Sequence, residues 1–162
     1  MNQDTQLRDQ LTGLLDWEGA HMNLEQAVAD FPPEAMNVRP PNVSYTPWQL
    51  LEHIRIAQWD ILDFCRNPDY REMEWPREYW PPEGETADEA RWNESLRGFR
   101  ADLQDLERLA LDPEVDLYAP IPHGQGQTIL RELLLVADHN AYHVGEFAIL
   151  RQVMGTWPRG HK

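Results

Sequence analysis

Three histidines stand where an amphipathic helix would normally carry Leu or Ile. His139 and His143 lie four residues apart in Asp138-His139-Asn140-Ala141-Tyr142-His143, and His53 lies in Trp48-Gln49-Leu50-Leu51-Glu52-His53-Ile54. Residues at i and i+4 share one helix face, so His139 and His143 present two imidazoles to one point. A facing helix carrying His53 completes a three-nitrogen set with one position open, the arrangement that a catalytic divalent metal uses. Such an ion lowers the pKa of bound water to about 7 or holds a thiol deprotonated, and either supports transfer or hydrolysis on a small molecule.

For a single His on an apolar face, a hydrogen-bonded core residue is the plainer reading. Three on two helices shift the balance, because each unpaired buried nitrogen costs about 1–3 kcal/mol and one ion satisfies all three. A zinc peptidase of the HExxH type has Glu directly after its first His; here that position is Asn140, which disfavours peptidase chemistry. Asp60, seven residues beyond His53, and Glu146, three beyond His143, are the carboxylates spaced to act as a base or to accept from a His ligand. For each, a solvated carboxylate at the edge of the stripe is the alternative. His21 falls two heptads after Leu7 and offers a fourth ligand or a proton carrier, against a buried, hydrogen-bonded side chain. His123, in Pro122-His123-Gly124-Gln125-Gly126-Gln127-Thr128, precedes a helix start that could hold an anion or form a capping turn. Cys65 lies about 18 Å along its helix from His53 and reads as a near-core thiol. His161, in the C-terminal tail, is set aside.

Four helical segments must position these side chains. The first is expected from Thr5 to Phe31, with Leu7, Leu11, Leu14, Val28 and Phe31 near one stripe, stopped by Pro32-Pro33. The second opens at Thr46-Pro47-Trp48-Gln49, a capping Thr with Pro in the first helical position and Gln at the third. Its stripe is Leu50, Ile54, Ala57, Ile61 and Phe64, and Asn67-Pro68 ends it. The third begins with a capping box at Thr86-Ala87-Asp88-Glu89 and carries Trp92, Leu96, Phe99, Leu103 and Leu106 up to Asp112-Pro113. The fourth starts near Thr128, carries Leu130, Leu133, Leu134, Val136, Phe147 and Leu150, and stops at Gly155. No segment alternates in a way that requires a sheet. An all-α four-helix bundle, one domain over residues 1–162, is the economical solution. Its connections, about 15, 20 and 17 residues, exceed the 2–8 typical of bundles. A 20-residue link spans about 66 Å extended against about 30 Å for a 20-residue helix, so the loops are long enough to cross over. The second contains Trp75-Pro76 and Tyr79-Trp80-Pro81-Pro82, an aromatic stretch suited to cover a cavity, close an interface or pin the loop.

The 162-residue chain holds 14 Lys+Arg against 28 Asp+Glu, a formal charge of −14. That field opposes nucleic acid and anionic membrane surfaces as partners. No apolar run approaches the ~20 residues of a membrane span, the N-terminus lacks signal-peptide features, and a lone cysteine fits a reducing compartment. The expected location is cytoplasmic.

Ser44-Tyr45-Thr46-Pro47-Trp48-Gln49-Leu50-Leu51-Glu52-His53-Ile54, then Ala57-Gln58-Trp59-Asp60, and Asp138-His139-Asn140-Ala141-Tyr142-His143-Val144-Gly145-Glu146 together resemble the DinB/YfiT-like superfamily. The resemblance runs from the first helix to Met154-Gly155-Thr156-Trp157. It implies a four-helix bundle of up-down-down-up topology with long crossovers, and a metal triad at His53, His139 and His143 holding zinc or nickel. It also implies a homodimer, with slight support from seven Trp. For function it suggests a small-molecule substrate and a low-molecular-weight thiol such as mycothiol, bacillithiol or glutathione, in a transferase or isomerase. A metal-binding stress protein without turnover and a structural homodimer are the competing readings.

Overall fold

Local start and stop signals set the helices of this computed structural model, which describes residues 2–16, 20–158 and 160. His161 lies outside the described residues. The first helix, α1 (Gln3–Leu15), is capped by Asn2, whose side chain accepts from the Thr5 amide. The chain then breaks, and a second short helix, α2 (Leu24–Val28), restarts behind a capping box: Asn23 accepts from the Gln26 amide and Gln26 from the Asn23 amide. The single helix expected over Thr5–Phe31 is therefore two. Asn23 offers the backbone a fresh start, and helix initiation at such a residue competes with continuation. Leu14, placed on the inward stripe by periodicity, is exposed, while Leu11 and Leu15 are buried.

The long helix α3 (Pro47–Arg66) begins as its sequence requires, with Thr46 and Gln49 forming a reciprocal capping box and Pro47 at the first position. Helix α4 (Glu89–Leu111) is capped by Asp88 rather than Thr86. The Asn37 side chain takes both backbone groups of Ala87, donating to its carbonyl at 2.8 Å and accepting from its amide at 2.9 Å, so Ala87 stays outside the helix. Helix α5 (Ile129–Met154) starts at the Thr128 cap and ends at Gly155, whose φ of 65° is the left-handed conformation that glycine adopts without strain.

Helix α3 packs on α4 and α5; α1 packs on α4 and α5; α2 packs on α5. Leu50, Leu51 and Ile54 of α3, Leu106 of α4, and Leu133, Val136 and Phe147 of α5 form the buried centre. Two buried arginines tie chain ends to the bundle. Arg8 donates to the carbonyls of Ala110, Asp112 and Val115 at the end of α4. Arg151 donates to Ala27, Ala29 and Thr156. Among the described residues there is no strand, only an isolated bridge between Pro120 and Thr128, and no helix is long and apolar enough to cross a membrane.

Candidate metal centre

Helix α3 and helix α5 bring His53, His139 and His143 together: one ring nitrogen from each lies within 4.8 Å of the other two. The Nε2 atoms of His53 and His143 are 3.2 Å apart. The far side of each ring is committed. His53 Nδ1 lies 2.8 Å from the Tyr79 carbonyl, and a carbonyl only accepts, so Nδ1 carries the proton. His143 Nδ1 lies 2.7 Å from the Glu146 carboxylate, which likewise accepts. With both rings neutral, each turns a lone pair toward the other at Nε2. Two lone pairs at that separation repel unless a cation stands between them. Two nitrogens bound at about 2.1 Å in a tetrahedral set would sit about 3.4 Å apart, close to the distance found.

Burial works against a proton on two of the three rings. It lowers the His53 pKa, with the Tyr79 carbonyl acting against it. At His139, burial and then the two neighbouring imidazoles press the pKa down to about 4. His139 Nδ1 is moreover buried without a hydrogen-bond partner. Three imidazoles with ring nitrogens this close form a group that could hold a divalent metal ion.

The connection 67–88 closes the site from above. Trp80 lies flat on His53, ring centroids 4.0 Å apart and planes within 1°, and Tyr45 stacks on the other part of this layer at 5.4 Å. Tyr79 contributes twice: its carbonyl holds His53, and its hydroxyl donates to Asp60 at 2.6 Å. Tyr70 donates to the other Asp60 oxygen at 3.0 Å. Asp60 thus anchors the loop from α3. Burial raises its pKa, the two tyrosine hydroxyls opposing. Asp60 also lines a cavity of about 610 Å³ with His53 and His139, walled by Phe64, Tyr70, Trp75 and Tyr79.

The other carboxylate, Glu146, sits against His143, and the hydroxyls of Tyr45 and Tyr142 reach it as well. His21 is not at the triad. It is exposed, its Nδ1 meets the Met22 carbonyl at 2.8 Å, and it lines a separate cavity with Glu107 and Leu103. Its heptad phase with Leu7 assumed one continuous helix, and the break before Asn23 removes that phase. His123 donates to the Phe64 carbonyl at 2.8 Å, and the Gln127 side chain takes the Gln125 amide, so 122–128 is a turn closing the cavity wall. Burial, then Glu132, push the Cys65 thiol up to about 12.

Four participants carry no metal-ligand pattern in the sequence. Gln58, fully buried on α3, and Glu132, buried at the cavity floor, are polar residues on otherwise apolar faces; that mismatch was the available signal. Trp80 was visible only as part of an aromatic stretch. The Tyr79 carbonyl is a backbone group and has no residue signature.

A helical bundle thus carries three inward histidines on two of its helices, a group that could hold a metal ion, with a roofed cavity beside them. The family model of the DinB superfamily matches residues 16–147, and the chain belongs to that superfamily. Comparison with the curated proteins and with the solved structures gives no match.

Proposed function

We propose that this protein is a metal-dependent enzyme in which His53, His139 and His143 hold zinc or nickel and a small molecule reacts in the adjoining cavity, by thiol transfer or hydrolysis. The observation that carries it is the pair of facing Nε2 atoms at 3.2 Å, each with its Nδ1 already engaged. When bound, the ion supplies Lewis acidity and lowers the pKa of a water or thiol beside it. The chain's own groups do the rest. A cavity of about 610 Å³ lies within the range that small-molecule sites occupy. Asp60 is the carboxylate facing it whose pKa burial raises, toward the range where a base works near neutral pH. Glu146 orients His143 and is turned away from proton transfer.

Replacing His139 with Ala should abolish metal binding, read by mass spectrometry of the intact protein; unchanged occupancy would remove the triad. Asp60→Asn should keep the metal and lower turnover roughly 10²–10⁴-fold, measured as loss of a low-molecular-weight thiol with an electrophile. If wild-type protein shows no metal-dependent consumption of mycothiol, bacillithiol or glutathione, the transferase reading fails.

A further inference from the structure

The acceptor for His139 is missing from the hydrogen bonds of the site, and a chain of buried amides leads to it. The Phe99 carbonyl can only accept, so Gln58 presents Nε2 to it, at 2.8 Å. The amide plane then fixes Gln58 Oε1 on the side of Asn140, where it accepts from Asn140 Nδ2 at 2.8 Å. Asn140 is left with Oδ1, which is buried and has no partner. The neighbouring residue on α5 is His139, whose Nδ1 is likewise buried without one. Two orphaned buried polar atoms in successive residues each cost about 1–3 kcal/mol, and one is an acceptor while the other can carry a proton.

We propose that Gln58 and Asn140 are positioning residues that fix His139 as the Nδ1–H tautomer, so that its Nε2 joins those of His53 and His143. The inference rests on the metal reading for its purpose, but its geometry stands without an ion. The polarity runs one way, from a carbonyl on α4 through α3 to α5, because no member of the chain can be flipped without setting two acceptors or two donors face to face. With Nδ2 held by Gln58, the Asn140 Oδ1 is the acceptor left over for the His139 Nδ1–H. All three histidines then carry the proton at Nδ1 and offer Nε2: His53 against a carbonyl, His143 against a carboxylate, and His139 against an amide oxygen. The residue that a zinc peptidase of the HExxH type uses as base here holds a ligand in register.

Nitrogen-15 NMR of the imidazoles in metal-free protein at pH 7 reads the tautomer directly. Wild type should show His139 protonated at Nδ1 and bare at Nε2. Asn140→Leu should lose that preference and bind zinc about 10- to 100-fold more weakly, with an altered visible spectrum when cobalt replaces zinc. Asn140→Asp keeps an acceptor at the ring while losing the donor to Gln58 Oε1, and should restore the Nδ1–H tautomer. The opposite tautomer in wild type, or undiminished zinc affinity in a folded Asn140→Leu protein, would overturn the proposal. If that variant does not fold, the wild-type tautomer still decides. Wild-type protein that binds no zinc would remove the metal reading and leave the tautomer measurement standing.

Discussion

His139 is the residue on which acid should act most visibly. Its folded-state pKa, about 4, lies below the ordinary value of 6.5, chiefly through burial. Between those values the unfolded chain binds a proton that the folded chain refuses, so stability rises with pH across the window. The contribution is complete above about pH 6.5 and is lost as pH falls toward 4. Metal-free wild type should therefore lose more melting temperature between pH 7 and pH 5 than His139→Gln does, carboxylates elsewhere being common to both. Equal losses would show that His139 does not titrate in this way. The pairing of His139 with His143 was legible because shared-face spacing is a property of neighbouring positions. Of the acceptors behind the three rings, Glu146 was legible from its three-residue spacing to His143, while the Tyr79 carbonyl is a backbone group and the placing of Asn140 depends on a side chain 82 residues away in Gln58.

At the scale of elements, boundaries set by local chemistry were readable and those set by distant partners were not. Thr46, Thr128 and Gly155 each act on residues within a turn, and each bounds its helix where expected. Thr86 lost the cap of α4 to Asp88 because Asn37, 50 residues away, holds Ala87 outside the helix. The break between α1 and α2 had a local signal in Asn23 and Gln26, but Val28 and Phe31 kept the apolar pattern going across it. Arg151 ties the end of α2 to the bundle, beside the buried Leu24, Ala27 and Val28. Arg151→Met should strip the donors from the Ala27, Ala29 and Thr156 carbonyls and cost about 2 kcal/mol or more in urea unfolding. A change under about 0.5 kcal/mol would mean that water replaces the guanidinium freely.

For the whole molecule, we propose the homodimer that the family resemblance implies, and α5 supplies a face for it. Leu134, Tyr142, Ile149 and Val153 are all exposed and fall within about a 100° arc of that helix. Light scattering at micromolar concentration should give about twice the 19.0 kDa chain mass, and Ile149→Glu should shift it toward the monomer. A wild-type mass of 19 kDa would dismiss the dimer.

His53 and His143 stand 90 residues apart in the chain, which makes an ion between them a cross-link as well as a reagent. It would close a loop containing all of α4 and both long connections that follow α3, restricting how that part can open. Helices α1 and α2 lie outside the loop, attached through side chains such as Arg8 and Arg151. Zinc should therefore divide the molecule into a tethered body and an untethered N-terminal arm of unequal stability. Hydrogen exchange with and without chelator tests this: protection gained on zinc binding should concentrate in α3 to α5, and an equal gain in α1 would contradict it.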